Sequence, residues 1–294
     1  MAAFHIDVPV LSRGLLDRSE DVREPAAVAA AWPGARVLQV GEAGRLPLAP
    51  DAGEPRLAFA DAARFGVAPP AGAVLLGSIA GTHYWAVPAV VGSAGTIRSV
   101  GPLLSDDEAA LATTAVALLG WHATAAYCSR CGRPTAPDAT GHSRSCPVGH
   151  QEFPRTDPAV IVLVHDGEGN AVLARQPGWA PGRFSVLAGF AEAGESLEAT
   201  VVREIGEEVG VAVRDVEYLG SQPWPFPRSL MIAFAARAPR GAALRPRPGE
   251  IEQARWFSRD RLRAIISGNA EEGITLPDPV SIARRMVEGF VAAP

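Results

Sequence analysis

GFAEAGESLEATVVREIGEEVGV, residues 189–211, is the stretch on which the reading of the whole chain turns. Leu197 to Val209 has the apolar spacing of a helix. On that helix Glu204, Glu207 and Glu208 stand at i, i+3 and i+4, which puts them on one face with Cβ atoms about 5–6 Å apart. Three like charges so close destabilise a helix unless a counter-cation sits among them. Hard divalent cations with a preference for oxygen, Mg²⁺ or Mn²⁺, meet that need. Gly189 and Gly194 permit a tight loop before the helix, and Glu195 and Arg203 form the natural pair to fasten the loop to it. An isolated REIGEEVG would read as a solvated charged face. With the upstream glycine and glutamate also in register, the stretch reads instead as a metal site able to bridge a pyrophosphate and acidify a water. Attack at phosphorus suits such a site, because its catalysis is mostly positioning and charge stabilisation.

Working outward, the region from Asp157 onward mixes β and α patterns. AVIVLV (159–164) and AVLARQ (171–176) flank the turn HDGEGN and predict a hairpin. SVLAGF (185–190), VEYLG (216–220), LMIAFAA (230–236) and ARWF (254–257) predict further strands, and Arg259–Ile266 and Val280–Val291 predict helices. Upstream, residues 1–104 are rich in Gly, Ala and Pro, with strand-like pieces at ARVLQV (35–40), RLAFA (56–60), AVLLGSIA (73–80) and HYWAVPAV (83–90). They predict a mostly β N-terminal domain. Ser105 is then a candidate N-cap with Glu108 at the capping-box position, opening a helix that links, over 105–125, to a cysteine cluster in 126–154. A catalytic α/β domain over 155–294 completes the expected organisation.

The stretch 189–211 matches G-x5-E-x7-R-E-U-x-E-E-x-G-U, where U is a bulky aliphatic, and so resembles the Nudix box. The resemblance implies an α/β/α sandwich around a mixed sheet. It further implies that Glu204, Glu207 and Glu208 hold the catalytic metal together with the carbonyl of Ala188 and a later acid. Glu250, in PGEIEQARWF, stands at the family's spacing for that acid; its other reading is an exposed loop acid.

Residues 221–229, SQPWPFPRS, are three prolines alternating with two aromatics, a rigid loop that suits neither helix nor central strand. Such a loop is either a stiffened turn or a preorganised platform on which Trp224 and Phe226 stack a planar ring. Gln222, Arg228 and Ser229 would then donate to phosphate or ribose oxygens. The nine residues are similar to the signature of the bacterial NADH pyrophosphatase branch of the Nudix hydrolases, with Arg228 at the variable position. In that branch the loop, including Pro223, Pro225 and Pro227, binds the dinucleotide. Phe153, Phe190 and Ala283 also fall at positions that line the substrate site in similar proteins. This resemblance runs from about Trp121 to the C-terminus and is weak before it.

The chain has three cysteines, Cys128, Cys131 and Cys146, all within nineteen residues, an odd and clustered set that argues for metal over disulfides. Cys128–Gly132 is a CxxCG knuckle, and CPVGH (146–150) follows at a spacing that suits structural zinc. Similar NADH pyrophosphatases carry CxxC twice, whereas here Gly149 stands where the fourth cysteine would be. Either His150 supplies the fourth ligand, or zinc binding has decayed. His142, in the tip TGHSRS, is the weaker candidate.

Lys and Arg total 27 against 32 Asp and Glu, a net charge of −5, which gives no footprint for duplex nucleic acid. No apolar run approaches the ~20 residues of a membrane span, and the N-terminus lacks the apolar stretch of a signal peptide. A soluble, cytoplasmic protein is expected. The resemblance implies hydrolysis of NADH or NAD⁺ to nicotinamide mononucleotide and AMP, removal of an NAD cap from the 5′ end of RNA, and a homodimer. Two alternatives stand beside it: a Nudix hydrolase for another nucleoside diphosphate derivative such as ADP-ribose, and a non-catalytic nucleotide sensor.

Overall fold

The computed structural model describes residues 4–50, 53–92, 94–269 and 273–293. The chain divides into two compact units. One takes residues 10–156 with Pro223–Arg228, the other the residues up to Pro9 with Asp157–Gln222 and the chain from Ser229 onward.

In the first unit, α1 (Pro25–Ala31) precedes β1 (Arg36–Val40), β2 (Leu46–Pro47), β3 (Phe59–Asp61), β4 (Val74–Ile79), β5 (Thr82–Pro88) and β6 (Ala94–Gly95). A four-stranded sheet in the order β3-β1-β5-β4 is built on a parallel β1–β5 pair, and β2 pairs with β6. Each apolar piece of the N-terminal sequence contributes a strand of the larger sheet, although short helices occupy as much of the path between them. Trp32 and Trp85 meet edge to face at its core. The short α2 (Ile97–Val100) carries a reciprocal capping box between Thr96 and Ser99.

α3 (Asp106–Thr124) starts at Ser105, whose Oγ accepts from the Glu108 amide. The box is not reciprocal as expected: the Glu108 carboxylate accepts from the Leu57 amide and from the Ser105 hydroxyl, and is itself buried. Packing on the sheet has claimed the side chain that would have closed the cap. α3 also contributes to the core, since Ala109, Leu111, Ala112, Ala115 and Leu118 are buried. Three two-residue strands, β7 (Ala136–Pro137), β8 (Arg144–Ser145) and β9 (Gln151–Glu152), form the small sheet of the cysteine segment. Asp138 organises its tip, with Oδ1 accepting from the amides of Thr140, Gly141 and His142 and Oδ2 from the Ser143 hydroxyl.

The second unit is a six-stranded mixed sheet with helices on both faces. Its strands are β10 (Asp157–His165), β11 (Asn170–Arg175), β12 (Leu187–Phe190), β13 (Arg214–Trp224), β14 (Ser229–Arg237) and β15 (Gln253–Ser258), and its helices α4 (Leu197–Val209), α5 (Arg259–Ile266) and α6 (Ile282–Ala292). The order is β13-β14-β10-β11-β15, with β12 also paired to β10. β10 is parallel to β14 and antiparallel to β11 and β12. Its unbroken apolar run follows from burial on both faces. Val160, Val162 and Val164 pack toward Val201, Ile205 and Val209 of α4, while Ile161 and Leu163 join Met286, Val287 and Phe290 of α6. The N-terminal segment completes the α6 face, Phe4 lying edge to face on Phe290. A Cβ on Gly289 would fall 2.2 Å from the His5 carbonyl oxygen, so the backbones meet there without a side chain between them.

β13 runs four residues into SQPWPFPRS, further than the proline pattern suggests. It does so as the edge strand, the position in a sheet where proline is tolerated. Gln222 is fully buried: its Nε2 donates to the Val280 carbonyl at 2.7 Å, and its Oε1 accepts from the Ile282 amide. It is thus not an open donor for a ligand, because both ends of its amide tie β13 to the start of α6. Gln222→Ala should strand that carbonyl and that amide, at about 1–3 kcal/mol for each buried group left unpaired. A clear fall in melting temperature is expected, and a variant that melts like wild type would sink this account.

Candidate active site

The metal candidates are assembled by α4 and the turn before it. Ser196 caps α4 by accepting from the Ala199 amide, and Gly210 closes it in the left-handed conformation at φ 68°. Arg203 binds Glu195 through two bonds, Nε to Oε1 and Nη2 to Oε2, both 2.8 Å, and Nη2 also donates to the Phe190 carbonyl at 3.0 Å. This fork fastens the loop to the helix as the spacing suggested. It holds the Glu195 carboxyl down at about 2, helped by the Glu192 amide and the Thr200 hydroxyl against the cost of burial. The guanidinium's remaining arm reaches Glu204 Oε1 at 2.9 Å.

Gly189 has a sharper reason to be glycine than loop freedom. A Cβ there would lie 1.9 Å from the Glu204 carboxyl carbon, so the Glu204 head group rests directly on the bare backbone of β12. Glu208 is buried, and its Oε2 finds no hydrogen-bond partner among the described residues. Burial pushes its carboxyl up to about 8, reinforced by the charges of Glu204, Glu250 and Glu207, with the Ala188 backbone pulling the other way. Glu207 is more open and sits between Arg203 at 3.6 Å and Arg247 at 3.3 Å. Arg247 in turn lies 3.5 Å from Glu250. Glu204, Glu207, Glu208, Glu250 and the Ala188 backbone are therefore brought to one place within one unit. Arg247 escaped the sequence reading because it lies outside the motif, and only the fold returns it to Glu207. An oxygen-rich cluster with an orphaned buried carboxylate oxygen fits a hard divalent cation.

The remaining site candidates are divided between the units. Phe190, exposed at the end of β12, and Ala283, buried in α6, belong with the carboxylates. So do Gln222 and the buried Ser229. Phe153 and Pro223–Arg228 belong to the other unit. There Trp224 and Phe226 meet edge to face at 5.1 Å. Phe226, Pro225, Pro227 and Arg228 line a cavity of about 800 Å³ with Trp121, Tyr127 and Phe153. Arg98, which the sequence reading missed, lies over both rings, 4.5 Å from the Phe226 centroid and 5.2 Å from that of Trp224.

In the cysteine segment the ligand atoms of Cys128, Cys131, Cys146 and His150 lie within 4.8 Å of one another. Cys131 and Cys146 sulfurs are 3.8 Å apart, and Cys128 Sγ is 3.5 Å from His150 Nδ1. Zinc–sulfur bonds of about 2.3 Å around a tetrahedron require sulfurs about 3.8 Å apart, so the set fits zinc. Gly149, at φ 86°, turns the second knuckle so that His150 fills the fourth corner. His142 is engaged elsewhere, its Nε2 on the Leu75 carbonyl at 2.8 Å.

Among the described residues no helix is long and apolar enough to cross a membrane. The NUDIX domain model matches residues 155–278, and the NADH pyrophosphatase zinc ribbon domain model matches residues 123–148. The chain is 45% identical to the NAD-capped RNA hydrolase NudC of Mycobacterium bovis (strain BCG / Pasteur 1173P2), covering 97% of this chain and 95% of the relative. It is 44% identical, with the same coverage, to the NAD-capped RNA hydrolase NudC of Mycobacterium tuberculosis (strain ATCC 25618 / H37Rv). The protein of that name from Deinococcus radiodurans is 41% identical over 67% of each chain. With its carboxylate helix, its thiol–imidazole cluster and this likeness along nearly its whole length, the chain belongs to the NAD-capped RNA hydrolase NudC family of Nudix-domain proteins.

Proposed function

We propose that this protein is a metal-dependent pyrophosphohydrolase that splits NADH or NAD⁺ into nicotinamide mononucleotide and AMP and removes the NAD cap from RNA. The observation that carries the reading is the convergence of Glu204, Glu207, Glu208 and Glu250 on Ala188, with a buried oxygen of Glu208 left over. A non-catalytic sensor gives no reason to keep every one of these charges in a place where they repel. Mg²⁺ or Mn²⁺ bound there would neutralise pyrophosphate oxygens and acidify the attacking water. The four carboxylates and the Ala188 carbonyl would hold the cation. Arg203, locked by Glu195, keeps Glu204 aimed at the same point. In the first unit Trp224, Phe226 and Phe153 offer flat apolar surfaces for a base, Arg228 a polar group for ribose or phosphate, and the three prolines stiffen the loop that carries them; in the second unit Phe190 offers an apolar surface, Ser229 a polar group, and Ala283 a small side chain. Zinc on Cys128, Cys131, Cys146 and His150 is structural. The family resemblance adds a homodimer and a cytoplasmic location to this reading.

The deciding experiment incubates purified protein and Mg²⁺ or Mn²⁺ with NADH, NAD⁺, ADP-ribose and NAD-capped RNA, followed by product identification. Nicotinamide mononucleotide and AMP are expected from the first two, with ADP-ribose cleaved poorly. Glu207→Gln and Glu208→Gln should each lower turnover by ~10²–10⁴ while the fold persists; near-normal rates in both would remove catalysis from this helix.

Titration offers a second check. The Glu208 carboxyl stands at about 8 in the folded protein against 4.5 for an unhindered one, so below that window both states are protonated, and within it only the folded state keeps the proton. Stability of metal-free protein should therefore fall as pH rises from 4.5 to about 8. Glu208→Gln should flatten that slope, and saturating Mn²⁺ should oppose it. An unchanged slope in the variant would assign the pH dependence elsewhere. For zinc, elemental analysis should find about one ion per chain, weakly retained in His150→Ala. Zinc-free protein that is equally stable would favour a decayed site.

A further inference from the structure

Arg247 stands on oxygens that the proposed chemistry needs for its metal. Its Nη1 lies 3.3 Å from Glu207 Oε2 and its Nε 3.5 Å from Glu250 Oε2, so one guanidinium touches two of the carboxylates assigned above to the cation. The backbone dictates this placement. The Arg247 amide donates to the Glu208 carbonyl at 2.9 Å and the Arg245 amide to the Val209 carbonyl at 2.8 Å, which fastens the loop to the last turn of α4. The Arg247 carbonyl accepts from the Glu250 and Ile251 amides, and the buried Ile251 side chain joins the core with Val209 and Val211. Pro246 and Pro248 flank the residue and narrow its backbone freedom further. The side chain is held far less firmly. It is 48% exposed, and its two contacts are single and long, unlike the two 2.8 Å bonds of Arg203 on Glu195.

A rigid loop thus presents a loosely held cation to carboxylates that a metal would also claim. Two cations at one set of oxygens repel each other. Any contact made only before the metal binds stabilises the protein without metal, and by linkage it weakens metal binding by the same factor. We infer that Arg247 is a built-in competitor for the divalent cation: it releases Glu207 and Glu250 as the metal enters, and so sets the affinity of the site. The inference rests on the metal-dependent reading above and deepens it. The acids are kept partly neutralised at low metal, and the site fills only where the divalent cation is abundant enough to win the exchange.

The test titrates Mn²⁺, with the free ion followed by electron paramagnetic resonance, into wild type, Arg247→Gln, Arg247→Lys and Arg245→Gln, all purified without added Mg²⁺ or Mn²⁺. Melting temperatures are taken without Mn²⁺ and at saturation. Arg247→Gln should bind Mn²⁺ about fivefold more tightly than wild type, the scale of a half-exposed ion pair. It should melt below wild type without Mn²⁺, and the gap should close at saturation, because the contacts removed are those the metal displaces. Arg247→Lys keeps the charge but not the planar fork, and should fall between the two. Arg245, from the same loop, turns instead to the Gly210 carbonyl at 3.5 Å, so Arg245→Gln should leave the affinity within about twofold of wild type. An equal gain in Arg245→Gln would overturn the inference and assign the effect to net charge. Unchanged affinity in Arg247→Gln would also overturn it, since the guanidinium would then keep its place beside the bound metal. Weaker binding would do the same and make Arg247 an arm that aims Glu250. If wild type binds no Mn²⁺ at all, the metal-dependent reading itself fails and the inference falls with it.

Discussion

The fork between Arg203 and Glu195 is the interaction on which the catalytic arrangement depends. Four carboxylates that repel one another will spread into solvent unless the backbone leaves them no choice. The fork denies them that choice from two directions. It pins the loop that ends at Ser196 against α4, and through the Phe190 carbonyl it ties the end of β12 to the same guanidinium. β12 is thereby held where its bare Gly189 backbone receives the Glu204 head group. The sheet supplies the other half of the constraint. β10 pairs directly with β12, and β10 is fixed by burial on both faces. Position thus passes from an apolar core, through one strand pair, to charged groups that could not have organised themselves.

Much of this was legible in the sequence because it is local. The bounds of α4, the Glu195–Arg203 pair and each cysteine knuckle all depend on residues within one or two turns of one another. The strand runs were also readable, since a strand buried on both faces has few sequences open to it. What escaped the reading depends on partners far along the chain. Gln222 looked like a donor for a ligand, but Val280 and Ile282 take both ends of its amide. Glu108 looked like half of a reciprocal cap, but Leu57 draws it away. Arg247 and Arg98 carry no local signal at all; each acquires meaning only when the fold sets it beside Glu207 or beside the ring pair. Edge position also explains why a proline-rich segment can begin as a strand.

In the cysteine segment two unlike turns bring three thiols and one imidazole to one point. The first knuckle closes through the Gly132 amide on the Cys128 carbonyl, four residues back, and the second through the Gly149 amide on the Cys146 carbonyl, three residues back, so the second turn is the tighter one. Gly149 ends the second turn without a thiol, and the ring of the next residue, His150, brings a nitrogen within 4.8 Å of the three sulfurs. A tetrahedral set with three thiolates and one imidazole carries one negative charge fewer than a set with four thiolates.

The short segment around Phe4 gives the architecture a wider meaning. It packs on Phe290, and its backbone lies against Gly289, so the α6 face of the catalytic sheet is completed by residues from the two extremes of the sequence. The span 155–278 that sequence comparison marks as the module includes neither of them. A fragment cut to that span would expose Ile161, Leu163, Leu173 and Phe257 where α6 and the Phe4 segment now cover them. The portion of this chain that is inherited as a recognisable module is therefore smaller than the portion that must fold together, and dissecting the enzyme along its motif boundaries would separate the chemistry from the core that supports it.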